Sequence, residues 1–330
     1  MNLHERDRIL ERLQAGKGKI ALGSSEVRSI DQILAAVWGI AFPGTIATWE
    51  ELLPRSAGCL AITRYNRAHD DVAEAMELGD KRVMAAAQAR LYDALADPII
   101  LGPVMSQRRH LILDAICMAI GLARAISTTG PIVDVGCHAG FVSTILSEFL
   151  DCNVVGIDPS DRAITLARSR TAGKPQVEFY RAAMPWKVDS RFDLAIAFDS
   201  MPEGSGAKAA FLRSLGDLLI PGGVAIVSSM YWADEDIDVT RREMRMAGLG
   251  FGYADVIGGY GRIPAQFDVE MVVVLLKDGG RRLPRNLCQL AENDWPRFRN
   301  FANAPSTMLS EKTQAFERSL RSRCVAQATR

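Results

Sequence analysis

The chain has 330 residues, 48% hydrophobic and 24% charged, an ordinary soluble globular composition. The length accommodates one large α/β domain with an added segment, or two domains. Equal numbers of basic and acidic residues give a formal net charge of zero, which excludes a whole-molecule field drawing the protein to nucleic acid or membrane. The six cysteines, Cys59, Cys117, Cys137, Cys152, Cys288 and Cys324, form no CxxC pair and no Cys/His ligand spacing. No metal site or redox dithiol is expected, and reduced, buried thiols fit the pattern. The N-terminus lacks the apolar core of a signal peptide, and the apolar stretch Leu111 to Ile126 carries Asp114 and Arg124 and is too short to span a bilayer. A cytoplasmic protein with no membrane segment is the expectation.

Residues 1–128 read as almost wholly helical. Leu3 to Leu13 is a charged amphipathic segment, and Ile30 to Ile40 a more apolar one closed by Phe42-Pro43-Gly44. Thr48 and Glu51 have the spacing of a capping box. Asp70 to Leu95 carries apolar residues at helical spacing, with Asp97-Pro98 as an interruption, and a further helix is predicted from about Ser106 to Ala125. At Gly130 the periodicity changes. Short apolar, β-branched runs at Ile132 to Val135, Asn153 to Asp158, Val177 to Tyr180, Phe192 to Phe198, Val224 to Ser228, Tyr253 to Ile257 and Val269 to Leu276 predict seven strands. Helices are predicted between them at Phe141 to Leu150, Ser160 to Arg170, Ala207 to Leu219 and Thr240 to Met246. Alternating strands and helices of this length mean βαβ units, hence an α/β, doubly wound Rossmann-like sheet behind an N-terminal helical domain. Residues 129–280 make up that sheet domain. Residues 281–330 form a basic extension in which Ser310 to Arg323 is the clearest helix.

Ligands of doubly wound sheets bind beyond the carboxyl ends of the strands. The first strand-to-helix turn is Asp134-Val135-Gly136-Cys137-His138-Ala139-Gly140. Gly136 and Gly140 permit a tight turn and a close ligand approach. Asp158 ends the second strand, where a carboxylate accepts the ribose hydroxyls of an adenosine. A dinucleotide fingerprint needs glycines at 138 and 141, but His138 and Phe141 stand there. Asp134 would also repel a pyrophosphate, whereas it suits the ammonium of a methionine moiety.

Val133 to Gly140 resembles the first motif of class I S-adenosylmethionine-dependent methyltransferases, an acid-x-Gly-x-Gly-x-Gly turn. Gly156-Ile157-Asp158 is similar to that family's second-strand end, and Phe192-Asp193-Leu194 to Asp199 to its fourth-strand motif. Leu218 to Gly223 is similar to the motif before strand five, and Phe251 to Lys277 to the closing hairpin. The resemblance spans about residues 104–279 and implies S-adenosyl-L-methionine as cofactor. Carried over by position, it puts Asp134 and Gly136 along the methionine portion, with Gly140 closing the turn, Cys137 among the cofactor-binding residues and His138 at the cofactor's edge. Asp158 and Pro159 fall at the ribose, Ala183 and Met184 at the adenine, and Asp199 and Ser200 facing both methionine and acceptor. Where an acid often binds the adenine amine, this chain has Ala182-Ala183-Met184. His138 replaces the family's middle glycine, a substitution the family tolerates.

Candidate catalytic groups are His138, His110 and Tyr231. For His138 a locally bonded turn residue is favoured over a base. His110 stands among Arg108 and Arg109, and Tyr231 follows the fifth strand, where Asp234, Glu235 and Asp236 read equally as a helix start. Tyr92 is read as a packed aromatic, and Gly258 to Arg262 as a lid or a connection. The fourth strand ends Asp199-Ser200-Met201-Pro202, without the Pro-Pro-aromatic turn or Pro-Cys nucleophile of base-modifying enzymes. Ser228-Ser229-Met230 lacks the Asp-Asn of metal-dependent O-methyltransferases.

The expected function is metal-independent O- or N-methylation of a small-molecule acceptor, with the helical segment covering the site. A homodimer is a candidate assembly, and nucleic acid is not the expected partner. Three alternatives stay open: an aminocarboxypropyl transferase of nicotianamine-synthase type, an RNA methyltransferase using the basic tail with Trp295, Phe298 and Phe301, and an inactive cofactor-binding regulatory subunit.

Overall fold

The computed structural model describes residues 24–40, 58–107, 109–202, 205–229, 242, 244–258 and 269–277. The expected helices at Leu3 to Leu13 and Ser310 to Arg323, the Thr48/Glu51 capping box, Tyr231 and its acidic neighbours, residues 259–262 and the basic tail lie outside them.

In chain order the helices before the sheet are α1 (Ser24–Trp38), α2 (Gly58–Leu78), α3 (Lys81–Leu95), α4 (Pro98–Gln107) and α5 (Arg109–Ala125). The run expected from Asp70 to Leu95 is broken into two helices. Gly79 takes a left-handed φ of 65° and its N–H closes on Ala75 and Met76 carbonyls, ending α2. Asp80 then caps α3, its Oδ1 accepting from the N–H groups of Arg82 and Val83 at 2.8 and 3.4 Å. Asp97-Pro98 interrupts the helical run as expected, α3 ending at Leu95, and also starts the next helix. Proline fits a first helical position because its missing N–H needs no partner there, and the Asp97 carbonyl accepts from Ile100 and Leu101. Helix α2 lies against α3, with Arg90 of α3 paired to Asp71 of α2 at 2.9 Å.

Seven strands follow: β1 (Ile132–Val135), β2 (Val154–Asp158), β3 (Val177–Arg181), β4 (Phe192–Phe198), β5 (Leu219–Ser229), β6 (Leu249–Gly258) and β7 (Val269–Lys277). Between them stand α6 (Phe141–Leu150), α7 (Asp161–Arg170) and α8 (Ser205–Leu218). The sheet order is β3-β2-β1-β4-β5-β7-β6. Strands β1 to β5 pair in parallel, while β7 is antiparallel to both β5 and β6. The fifth strand begins earlier than expected, so that Pro221-Gly222-Gly223 lies within it, and Gly222 has φ 78°.

Strand alternation divides the interior into two layers. Ile132, Leu194, Ile196, Val224, Ile226, Val272 and Val274 face one core, shared with α1, α5 and α6. Val133, Val135, Ala195, Ala197, Ala225, Val227, Val273 and Leu275 face the other, shared with α8. This period of two, with both faces covered, explains why the strands read as continuous apolar runs. Helix α1 joins the first core through Ile30, Leu34 and Trp38, all essentially buried, each worth roughly 2 kcal/mol or more. Arg170 of α7 stacks over the Trp38 ring, 4.8 Å from its centroid, and donates to the Val37 carbonyl at 2.6 Å. Helices α1 and α5 are therefore tied to the same core as the sheet, while Ala61 of α2, Leu95 of α3 and Ile100 of α4 form a separate cluster.

Candidate functional site

The strand order reverses between β1 and β4, since β1 leads outward to β2 and β3 on one side and β4 leads to β5 on the other. A crevice opens above such a point, and the residues expected to bind a ligand surround it. Asp134 is the third residue of β1, opposite Gly156 of β2 and Ile196 of β4. By the alternation of β1 its side chain shares the layer of Ile132, toward α6. There Ser143 donates to Asp134 Oδ2 at 2.6 Å. Burial outweighs that hydrogen bond and pushes the Asp134 carboxyl up to about 7.

The turn after β1 is held by the neighbouring strand: the N–H groups of Gly136 and Cys137 both donate to the Ile157 carbonyl, at 2.8 and 3.0 Å. Gly136 has φ 76°, and a Cβ there would lie 2.4 Å from the Cβ of Ser200, so Ser200 closes directly on the turn. At Gly140, with φ 77°, a Cβ would meet the Phe179 ring at 2.5 Å. His138 also has a left-handed backbone, φ 47°. That is why glycine suits this place; histidine is among the residues that adopt it more readily than most. The Cys137 thiol is buried, and its burial raises its pKa well above the ordinary value, which makes it unreactive.

Asp158 ends β2 and is 4% exposed. Each of its oxygens accepts one backbone N–H: Oδ2 from His138 at 3.0 Å and Oδ1 from Ser160 at 2.8 Å. Each keeps a further lone pair, so the carboxylate can still accept two hydroxyls. Burial pushes its carboxyl upward, opposed by the neighbouring His138. Pro159 beside it is exposed. Ser160 is the N-cap of α7, its Oγ accepting from Ala163 N–H at 3.0 Å.

His138 was expected to bond locally, and its ring does otherwise. Nε2 faces the carbonyl of Tyr92, in α3, at 3.3 Å, and the Tyr92 ring meets the imidazole edge-on at 6.4 Å. A carbonyl only accepts, so Nε2 carries the proton. Burial lowers the imidazole pKa, against the pull of Asp158, and favours the neutral ring, in which Nδ1 is a bare acceptor. Nδ1 is buried and has no hydrogen-bond partner among the described residues, as is true of Ser200 Oγ.

Beyond β4, Asp199 takes φ 49°, and its N–H donates to both the carbonyl and the Oγ of Ser228 at 3.1 Å. The Ala182 to Met184 segment leaves β3, with Ala183 exposed and Met184 half-buried. His110 is the second residue of α5, and Tyr231 lies outside the described residues. Asp134, Gly136, Cys137, His138, Gly140, Asp158, Asp199 and Ser200 thus gather at one sheet edge.

Sequence reasoning read Tyr92 as a packed aromatic and passed over Asp93; both come from α3 to the turns after β1 and β2. Asp93 accepts a hydrogen bond from Ser160 Oγ, and Asp97 pairs with Arg162 at 2.8 Å. No spacing in the chain announces these contacts, because a carbonyl carries no side-chain signature and an acid at the end of a helix reads as solvated. Among the described residues no cluster of histidine, cysteine or acidic side chains could hold a metal, and no helix is long and apolar enough to cross a membrane.

The donor set fits an adenosyl sulfonium. Two buried acids stand at adjacent strand ends; such a pair would complement an ammonium and a ribose diol and oppose a pyrophosphate.

Residues 132–223 match a family model described as a methyltransferase domain. Among curated proteins no relative matches this chain. Similar solved structures include magnesium protoporphyrin IX methyltransferase from Synechocystis PCC 6803 with bound S-adenosylmethionine. It is 17% identical, with a TM-score of 0.42, covering 53% of this chain and 81% of that one. The N-methyltransferase NodS from Bradyrhizobium japonicum WM9, in complex with S-adenosyl-L-homocysteine, is also 17% identical, with a TM-score of 0.40 and coverage of 52% and 87%. The [4+2]-cyclase SpnF is 16% identical, with a TM-score of 0.40 and coverage of 48% and 80%.

Proposed function

We propose that this protein is a class I S-adenosylmethionine-dependent methyltransferase, a reading supported by the match of residues 132–223 to a methyltransferase-domain model, and that it methylates a small-molecule acceptor, on oxygen or nitrogen, without a metal. The observation that carries the cofactor half of this reading is the pair of buried acids, Asp134 in β1 and Asp158 at the end of β2. Asp134 holds the ammonium of the methionine moiety and Asp158 the ribose hydroxyls. Gly136 lets the chain pass close to the ligand. Ala183 and Met184 border the adenine through backbone and apolar contact, and Asp199 and Ser200 face the methionine end.

The cofactor supplies a methyl group on a sulfonium, an electrophile open to in-line attack. The protein's part is to hold the acceptor in line and exclude water. Support for a small acceptor comes from α3, whose C-terminal end is hydrogen-bonded to the turns after β1 and β2. The His138 ring is held by Nε2–H donating to the Tyr92 carbonyl, which supports a structural role over that of a general base.

Incubation with methyl-labelled S-adenosylmethionine and a metabolite extract tests the reading. Label in a low-molecular-weight product, with release of S-adenosylhomocysteine, is the expected result. Label confined to RNA or protein, or methylthioadenosine as the by-product, would overturn the acceptor class or the group transferred.

A further inference from the structure

We propose that Tyr92 and Asp93, consecutive residues of α3, are positioning residues for the Asp158 carboxylate, acting through His138 and Ser160 and so setting the affinity for the cofactor's ribose. This deepens the proposed function and rests on it.

The geometry is a two-pronged clamp. Asp158 is held by two backbone N–H donors, one on each oxygen: His138 on Oδ2 at 3.0 Å and Ser160 on Oδ1 at 2.8 Å. Each of those two residues is in turn held by its own side chain, and both side chains are held by the same helix. His138 Nε2–H donates to the Tyr92 carbonyl at 3.3 Å. Ser160 Oγ–H donates to Asp93 Oδ1. The network closes over buried groups, with Ser160 1% exposed, Asp158 4% and His138 7%, where a displaced polar group finds no water to replace its partner.

The acceptors are of a kind that fixes geometry. The Tyr92 carbonyl also takes the N–H of Ala96 at 3.1 Å, so it is locked in the last turn of α3 and fixes the imidazole's tautomer and angle. The Asp93 carboxylate makes a charge-assisted bond, stronger than a neutral acceptor would. It orients a hydroxyl whose lone pair is already committed to Ala163 N–H at 3.0 Å. Rotation of Ser160 away from Asp93 would give up both the α7 cap and the alignment of its N–H on Asp158. Placing a second carboxylate beside Asp158 pushes the Asp158 carboxyl upward. A docking contact alone would not call for an acid at this position.

The test is calorimetric titration of S-adenosylhomocysteine into the full chain, comparing wild type, Asp93→Ala and Asp93→Asn. Asp93→Ala is expected to raise Kd about tenfold, and Asp93→Asn to recover most of that, because its amide oxygen still accepts from Ser160. A 2′,3′-dideoxy analogue should bind wild type and Asp93→Ala equally, since it lacks the hydroxyls that Asp158 receives. In the ligand-free protein the His138 and Ser160 amides should exchange hydrogen faster in Asp93→Ala than in wild type. An unchanged Kd in Asp93→Ala, or equal weakening of the parent and dideoxy ligands, overturns the clamp, the latter by showing general loosening. Failure of wild type to bind S-adenosylhomocysteine at all would instead overturn the cofactor reading beneath it.

Discussion

Replacing Asp134 by asparagine should remove a large pH dependence from the protein's stability. Burial raises the Asp134 carboxyl from its ordinary 3.8 to about 7. Between those values the native state holds a proton that the unfolded chain has released. Stability from this site is therefore fully present below the unfolded value and falls as pH rises toward the folded one. At about 1.4 kcal/mol per pH unit, the loss comes to about 4 kcal/mol between pH 4 and pH 7, and levels off above. Asparagine keeps the volume and an oxygen for Ser143 to bond, but titrates nowhere in this range. Urea unfolding of both proteins from pH 5 to pH 8.5 isolates the site, because the other groups cancel in the difference. Asp134→Asn should gain on wild type steadily to about pH 7 and hold that gain beyond it. Parallel stability curves would refute the reasoning. The proposed ammonium contact adds a second sign: wild type should bind S-adenosylhomocysteine more weakly by up to tenfold for each pH unit below 7. In Asp134→Asn that slope should be absent.

Further outcomes concern the turn and the helices. At position 138 the left-handed φ makes alanine costlier than glycine, so His138→Ala should be less stable than His138→Gly by about 1 kcal/mol in chemical denaturation; equal values would show that the conformation carries no strain. Gly140→Ala, which sets a Cβ against the Phe179 ring at φ 77°, should cost about 2 kcal/mol or more, measured by thermal unfolding, with Phe179→Leu restoring part of it. Asp80→Ala should cost about 1 kcal/mol while leaving the Kd for S-adenosylhomocysteine as in wild type; a weakened Kd would mean that the cap, too, reaches the site.

Much of the sheet was legible because parallel strands buried on both faces leave unbroken apolar runs, and because a turn near Gly136 and Gly140 needs residues without a Cβ. Asp134 and Asp158 stood out as acids at the ends of such runs. Helix ends were less legible. Asp80 and Asp97-Pro98 are capping signals, but the surrounding periodicity hid the first and the second also reads as a break. The partner of His138 was not legible at all. It is a main-chain oxygen 46 residues earlier in the chain, and only the packing of α3 against the sheet brings it there. The same holds for Asp93, whose meaning depends on Ser160 lying beneath it.

The last strand of the sheet also bears on how the chain is made. During synthesis β5, ending at Ser229, emerges well before β7, which begins at Val269, yet β7 is the neighbour that covers its free side. Strand β6 emerges in between and, among the described residues, pairs only with β7. Until residues 269–277 leave the ribosome, β5 keeps an open, apolar edge and β6 has no strand beside it. That interval is the one in which nascent chains are exposed to edge-to-edge association. A chain stopped short of Lys277 would keep this exposure permanently, even with every residue of the turn after β1 in place.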